Sequence, residues 1–284
     1  MAAVLGTNVA SLWASKNLQS AQTNMANSVE RLSSGLRINR ARDDAAGLGV
    51  ANALTQQINS ADMGIRNLND GISIVQTAEG ALAQASEMAQ RILALSIQGT
   101  NSTLSDDQKK SISTEMRSLL NGIDSIEART KFGSATTTIF NATAIPVYSS
   151  NVSSDNVSIT AVSLTTISTA SGGSANALSA SVTVATSTVT AATFLNITTL
   201  TSTYITALDT QRGRLGAIQN QMEYSVNNIT ELSANLTSAR SRIIDTDYAS
   251  ETATLTKGQI LQQAATAMLA QANQMPNVIL SLLK

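Results

Sequence analysis

The chain lacks cysteine and histidine altogether, and it has only one Trp, four Tyr and three Phe among its 284 residues. These absences exclude disulfides, thiol nucleophiles, Cys/His metal sites and imidazole acid–base catalysis. Charged residues make up 13% of the chain, well below the roughly 25% of a typical soluble domain. The 18 basic and 19 acidic side chains nearly cancel, so no net field attracts nucleic acid. We expect no enzyme, no cofactor and no nucleic-acid partner.

A few carboxylates occur in pairs, which could suggest acid–base chemistry. Asp106 and Asp107, and likewise Asp245 and Asp247, stand at predicted helix starts or junctions. Carboxylates are favoured there because they cap free backbone N–H groups and complement the helix dipole. We interpret both pairs as structural.

Charge is also unevenly distributed along the chain. From Ser134 to Leu208 the only formally charged residue is Asp155, and about four in ten residues are Ser or Thr. The flanks on either side hold nearly all the other charges. The chain is therefore divided into two flanks and a hydroxyl-rich centre.

Apolar residues in both flanks recur at spacings that are typical of helices burying one continuous stripe. The left flank predicts three helices, the third starting at a capping box of Ser105 and Gln108 and ending near Gly133. The second helix has its stripe at Leu54, Ile58, Ala61, Ile65, Leu68, Ile72 and Val75. The right flank has one at Leu208, Leu215, Met222, Ile229, Leu236 and Ile243, and the tail has one at Leu261, Ala265, Met268, Ala272, Met275, Ile279 and Leu282.

The centre has a different period. Residues 157–164 and 181–186 alternate apolar side chains with Ser or Thr, and Gly172 and Gly173 mark a turn between them. Alternation of this kind predicts half-exposed strands. The predicted fold class is mainly α, with long coiled-coil-like helices from both chain ends and a small central β region.

The two chain ends bear on membranes and export. Residues 258–283 carry no charge, and about 20 apolar residues suffice to span a bilayer. Several Gln and Asn side chains and Pro276 would nevertheless be unsatisfied in hydrocarbon, so we expect a protein–protein surface and no membrane insertion. The start of the chain lacks a charged region followed by an apolar core, so no cleavable signal peptide is expected.

Several motifs in both flanks, in the same order, resemble those of the bacterial flagellins. The left flank carries them at residues 7–12, 32–39, 41–48 and 69–82. The right flank carries them at residues 216–220, 239–243, 245–248, 260–263, 269–274 and 280–283. The resemblance covers about residues 1–133 and 205–284 and does not extend into the centre.

The resemblance implies a domain organisation that matches the three-part chain. Residues 1–43 and 245–284 would pair as an inner coiled-coil core domain. Residues 44–133 and 205–244 would supply the helices of a rod domain, and residues 134–204 an outer, variable β or loop region. The short centre indicates a flagellin without a large outer domain.

The resemblance also implies a function, a location and partners. The chain would be a structural subunit that polymerises with itself into the extracellular flagellar filament used for swimming, by heterologous contacts that do not close. Export would use the flagellar type III export apparatus, uncleaved, with a flagellin export chaperone, and the filament cap and the hook–filament junction protein would be further partners. Two alternatives remain: a hook–filament junction protein of the same family, and a secreted membrane-active helical protein.

Two groups of residues follow from the stripes and the charges between them. The first is expected to form the polymerisation core and comprises Met25, Val29, Leu32, Leu261, Met268, Met275, Ile279 and Leu282. The second is expected to form the charged connection between core and rod and comprises Arg31, Arg37, Arg40, Arg42, Asp43, Asp44, Arg240, Arg242, Asp245 and Asp247.

Residues 90–98 resemble the stretch of flagellins that the animal Toll-like flagellin receptor recognises. Arg91 and Leu95 match it, and Glu115 stands where the family's contacting acid is expected, but Leu93 and Ala94 replace an Arg-Glu pair. The alternative is that Arg91 and Glu115 are ordinary surface charges. The Ser and Thr residues of the centre are open to a similar choice between O-glycosylation and plain β propensity.

Overall fold

A computed structural model describes residues 8–131, 140, 144–150, 155–159 and 190–282, with side chains described as far as Gln274. The described residues form five helices and one antiparallel pair of strands, which confirms the predicted fold class. The elements are α1 (Val9–Ser34), α2 (Ala45–Gly99), α3 (Asp106–Arg129), β1 (Ile145–Tyr148), β2 (Asn156–Ile159), α4 (Ala191–Ile244) and α5 (Tyr248–Leu282).

The chain divides into two compact units. The first unit combines Met1–Ile58 with Ala234–Lys284, and the second is Asn59–Ser233. The first unit therefore includes residues 44–58 and 234–244, which the resemblance assigned to the rod helices.

The second unit is held together along the stripes predicted for α2 and α4. Leu68 and Val75 on α2 and Leu208, Leu215 and Met222 on α4 are all completely buried. From α3, Ile112, Met116 and Ile123 join the same core. The stripes are thus packing seams between helices, and burial of each large side chain contributes about 1.5–3 kcal/mol.

The predicted start of α3 is confirmed, but its end differs. The Ser105 hydroxyl accepts from the Gln108 backbone N–H at 3.4 Å, and the Gln108 side chain accepts from the Ser105 N–H at 2.9 Å. The helix ends at Arg129, before the expected stop at Gly133. Both the backbone N–H and the hydroxyl of Thr130 donate to the carbonyl of Ile126, which completes the last turn.

Helix α4 begins at Ala191, although we expected the C-terminal helix to start only at residue 205. Phe194 and Ile197 are completely buried at its start, so packing stabilises this segment. The hydroxyls of Thr198 and Thr201 donate to the carbonyls four residues earlier at 2.9 and 2.7 Å. These bonds satisfy the hydroxyl groups within a helix, and a hydroxyl-rich composition alone therefore did not distinguish helix from strand.

The two strands pair in the register Ile145 to Ile159 and Tyr148 to Asn156. Strand β2 overlaps the first three residues of the predicted segment 157–164 and begins one residue earlier, whereas β1 was not predicted. Gly64 of α2 is required beside the hairpin, because an added Cβ would overlap the backbone carbonyl of Ser149. The predicted strand at residues 181–186 and the turn at Gly172 and Gly173 lie outside the described residues.

Candidate functional site

Helices α1 and α5 of the first unit pack against each other, antiparallel, through small side chains. On α1 these are Ala14, Ala21 and Ser28, spaced seven apart and each at most 8% exposed. As far as Gln274, the buried face of α5 consists of Gly258, Ala265 and Ala272, with the same spacing. Small residues at a contact let two helix axes approach closely. We call these six residues the small-residue seam.

The N-terminal end of α1 is joined to α5 by polar contacts. The Asn8 side chain caps α1, accepting from the Ser11 backbone N–H at 3.1 Å, and its amide donates to the Ala272 carbonyl at 2.7 Å. The Ser11 hydroxyl donates to the Asn273 side chain at 3.0 Å.

Large apolar side chains lie on the outside of this helix pair. Of the residues predicted to form the polymerisation core, Val29 is 51% exposed, Leu261 49% and Met268 65%. Met25 and Leu32 are half-buried. The side chains of Met275, Ile279 and Leu282 lie outside the described part of the chain. Leu12, Trp13 and Ile260 are further exposed apolar residues that the sequence stripes did not include.

An apolar groove of about 620 Å³ runs along the α1/α5 pair. Trp13, Leu261 and Met268 line it together with Ala14 and Ala265 of the seam. Large exposed side chains beside buried small ones give the groove its depth. Contiguous apolar surface of this kind is characteristic of protein–protein contacts.

Three acidic residues of the predicted charged connection accept hydrogen bonds from backbone N–H groups at helix starts and in the loop between α1 and α2. Asp44 accepts from the Gly47 N–H at 2.9 Å and caps α2, and Asp247 accepts from the Ala249 N–H at 2.9 Å at the start of α5. Asp43 accepts from the backbone N–H groups of Asn39 and Arg40.

The charge state of Asp43 follows from these contacts. Partial desolvation raises the pKa of its carboxyl, but the hydrogen bonds from the Arg40 and Asn39 backbone, with the charges of Arg42 and Arg31, lower it overall. Asp43 is therefore ionised at neutral pH, which suits its role in holding the loop between α1 and α2.

The arginines of the predicted connection have different partners. Arg37 donates to the Ile243 carbonyl at 2.6 Å, and Arg240 approaches the Thr55 hydroxyl at 3.5 Å. Arg31 pairs with Glu251 at 3.6 Å, Arg40 with Glu30 at 2.7 Å and Arg42 with Asp43 at 3.6 Å. Arg242 is exposed in the last turn of α4.

A backbone crossing that the sequence reading missed connects these segments. Leu36 and Asp245 form an antiparallel bridge, and the Arg37 N–H donates to the Ile244 carbonyl at 2.6 Å. Gly35 makes the turn into the bridge with φ 72°, a left-handed value that favours glycine. A glycine directly after a predicted helix is the signal that could have identified it.

The three residues expected at a receptor surface are not equally accessible. Arg91 binds Glu115 through Nε at 3.0 Å and through Nη2 at 2.7 Å, and both side chains are largely exposed. Leu95 is 3% exposed and belongs to the hydrophobic core of the second unit, so the surface expected at Leu95 is not present. It was selected by motif position, which does not show which way a helical side chain points.

Within the described part of the chain, no cluster of His, Cys, Asp or Glu side chains has the geometry of a metal site. None of the described helices combines the length and hydropathy that crossing a bilayer requires.

Comparisons with known proteins agree on one family. Residues 5–143 match the family described as the bacterial flagellin N-terminal helical region, and residues 198–283 match the bacterial flagellin C-terminal helical region. Flagellin from Bacillus subtilis (strain 168) is 36% identical, with 98% of each chain covered. Flagellin from Halalkalibacterium halodurans is 34% identical over 99% of this chain and 100% of the relative.

A solved structure shares the fold. It is described as a flagellar hook-associated protein from Vibrio parahaemolyticus, with a TM-score of 0.57 over 72% of this chain and 100% of that one, at 13% identity. The helical flanks, the small sheet and the family matches at both ends lead to one conclusion: the chain belongs to the bacterial flagellin family and is a structural subunit of the flagellar filament, not an enzyme.

Proposed function

We propose that this flagellin polymerises through the exposed apolar faces of α1 and α5, while the small-residue seam pairs the two helices within each subunit. The observation that carries the proposal is the segregation of side-chain sizes. Ala, Ser and Gly are buried inside the pair, whereas Leu12, Trp13 and Met268 are each more than half exposed.

The energetics favour covering these side chains. Full burial of a Leu or Met side chain contributes about 1.5–3 kcal/mol. Leu261 is 49% and Met268 65% exposed, so covering them gains roughly half of that for each. Association costs about 4–15 kcal/mol in translational and rotational freedom and in ordering. One pair of side chains does not offset that cost, and polymerisation therefore needs the whole apolar face, including Trp13 and Val29.

Polymer geometry follows from the kind of contact. When two different faces of a subunit meet in a repeating contact that does not close, an open helical filament results. The groove beside Met268 and the outer faces of α1 and α5 are candidates for the two halves of such a contact.

A double substitution tests the proposal. Leu261→Ser with Met268→Ser should raise the critical concentration for seeded polymerisation by tenfold or more, because the contact loses about 1.5–3 kcal/mol of apolar burial. The measurement is sedimentation of filaments at a series of subunit concentrations.

A matched control uses Leu195→Ser with Met63→Ser. These residues are 63% and 53% exposed, so the loss of exposed apolar surface is comparable, but both belong to the second unit. The control should polymerise like the original chain, and far-ultraviolet circular dichroism should show the same helix content in both variants. Equal critical concentrations for the two variants would contradict the assignment.

We further propose that the filament is extracellular and that the chain is exported through the flagellar type III apparatus without cleavage. The flagellin export chaperone, the filament cap and the hook–filament junction protein are then its partners, as in the family. Family membership supports this route. Secretion by cells with and without the export apparatus, followed by intact mass against 29.6 kDa, tests both export without cleavage and O-glycosylation of the centre.

Recognition by the animal Toll-like flagellin receptor is proposed only for the exposed pair of Arg91 and Glu115. Both side chains are accessible, whereas Leu95 is buried. A reporter-cell assay with Arg91→Ala tests it, and a response equal to that of the original chain would assign Arg91 a purely structural role.

A further inference from the structure

Methionine is the sulfur-containing residue of this chain, which has eight Met and no Cys. The described methionine side chains differ widely in accessibility. Met116 and Met222 are completely buried, while Met63 is 53% exposed and Met268 65% exposed. Oxidants reach thioethers according to their exposure, so Met63 and Met268 are the two described thioethers that are most open to attack.

Met268 differs from Met63 in where it lies. Met268 lines the apolar groove with Trp13 and Leu261 in the first unit. Met63 lies on α2 in the second unit. Both side chains are more than half exposed, but only Met268 is on the proposed polymerisation surface.

We propose that Met268 is a reversible oxidation site through which peroxide-class oxidants control assembly of free subunits. This inference rests on the proposed function, because it needs Met268 to be covered in the filament. Oxidation would replace an apolar side chain by a polar one at that contact.

The reaction is a two-electron oxygen transfer. A lone pair of the Met268 Sδ attacks one oxygen of hydrogen peroxide and forms the S–O bond while the O–O bond breaks. The other oxygen takes the transferred proton and leaves as water, so the thioether is oxidised to a sulfoxide and the peroxide is reduced. Methionine sulfoxide reductases reverse the change.

The effect on assembly follows from desolvation. A sulfoxide oxygen is hydrated in the free subunit, and covering it by a neighbouring subunit without a matching donor is unfavourable, as for other polar groups. The expected effect is a rise in critical concentration on the order of tenfold.

Treatment of the full-length subunit with hydrogen peroxide tests the inference. Tandem mass spectrometry should locate sulfoxide at Met63 and Met268 and little at Met116 and Met222. The critical concentration for seeded polymerisation should rise on the order of tenfold, and a methionine sulfoxide reductase with a dithiol reductant should restore it.

Two matched variants assign the effect to one side chain. Met268→Leu keeps an apolar side chain that peroxide does not oxidise, so this variant should polymerise equally well before and after treatment. Met63→Leu should remain as sensitive as the original chain. If Met268→Leu polymerises poorly before treatment, the oxidised original chain provides the test. Its polymerisation should then recover under the reductase at the same rate as sulfoxide disappears from Met268.

Three outcomes would overturn the inference. The first is that subunits fully oxidised at Met268 polymerise as before. The second is that Met268→Leu is as sensitive to peroxide as the original chain. The third is that the reductase does not reverse the loss of polymerisation. Its failure is distinguishable from failure of the proposed surface. If Leu261→Ser with Met268→Ser blocks assembly but the sulfoxide does not, only the oxidation site is wrong.

Discussion

Two glycines at the start of α2 differ in their surroundings, although only one residue separates them. A Cβ added at Gly49 would meet nothing within 4 Å. At Gly47 it would lie 2.8 Å from the Ile38 Cδ1 atom and would also overlap the Asp44 carboxylate that caps the helix. The surroundings within the subunit therefore restrict the side chain at position 47 but not at position 49.

Gly49→Ala should stabilise the first unit by about 0.5–1 kcal/mol, because alanine loses less backbone entropy than glycine in a helix. Gly47→Ala is the matched control and should destabilise it by about 1 kcal/mol or more through the lost cap. Urea unfolding of both variants, followed by circular dichroism, measures the two changes. A stabilising Gly47→Ala would show that the cap is unimportant.

Glu127 is a residue whose charge opposes folding. Burial raises the pKa of its carboxyl, and the nearby charge of Asp124 raises it further. Because the folded pKa is raised, the protonated form favours the folded state, and this advantage is lost as the pH rises from the unfolded pKa through the folded one.

Glu127→Gln should therefore stabilise the protein at pH 7 by about 0.2–0.5 kcal/mol, the size of a like-charge pair on a helix. The gain should vanish below about pH 4, where the carboxyl is protonated in both states. Glu115→Gln on the same helix is the control. It should not stabilise the protein at pH 7, since it breaks the pair with Arg91. Unfolding free energies at both pH values give the answer, and a gain at pH 3 equal to that at pH 7 would contradict it.

At the scale of elements, the contact between α1 and α5 depends on the small size of its buried side chains. Ala21 is 5% exposed in the small-residue seam, so a larger side chain there alters the contact between the two helices. Ala26 is exposed on the same helix. The two alanines offer a direct comparison of the buried and the free face.

Ala21→Leu should destabilise the α1/α5 pair by about 1–3 kcal/mol through overpacking, whereas Ala26→Leu should change stability by less than about 0.5 kcal/mol. Hydrogen exchange of the α1 amides measures the pair directly. Equal protection in the two variants would mean that the helices do not pair through Ala21.

The helices of the second unit were largely predictable, because large apolar residues that recur at helical spacing must be buried against a neighbouring helix. Leu68, Leu208 and Met222 are examples. The faces of α1 and α5 were harder to assign. Met268 and Ala265 stand in one predicted stripe, yet only Ala265 is buried in the subunit. A single sequence does not distinguish a stripe that faces its own chain from one that faces a neighbour.

The hydroxyl-rich start of α4 was unpredictable for a different reason. The Thr198 hydroxyl bonds the helix's own backbone, and Phe194 is buried, so tertiary packing overrides the weak strand preference of threonine. The role of the charged residues as a connection between core and rod stays a prediction. The backbone bridge of Leu36 and Asp245 beside them could not be read from residue type, because it joins segments that are far apart in sequence.

At the scale of the whole molecule, assembly and folding of the second unit should be separable. Deleting residues 261–284 removes the part of α5 that carries Met268, Ala265 and Ala272, while Asn59–Ser233 remains complete. The truncated chain should remain soluble and helical in its second unit but should not polymerise. Electron microscopy of seeded samples checks this, and filaments formed by the truncated chain would refute the role given to α5.

The seam between α1 and α5 has a consequence for alignment. Small residues repeat every seven positions on both helices, so sliding α5 by one repeat would again bring Gly258 or Ala265 opposite a small residue of α1. The seam alone does not select one alignment over the next. Selection falls to the two ends of the pair, where Asn8 reaches the Ala272 carbonyl and Leu36 bridges Asp245. The contacts at the two ends therefore determine the alignment of the helices, which the repeating seam leaves open.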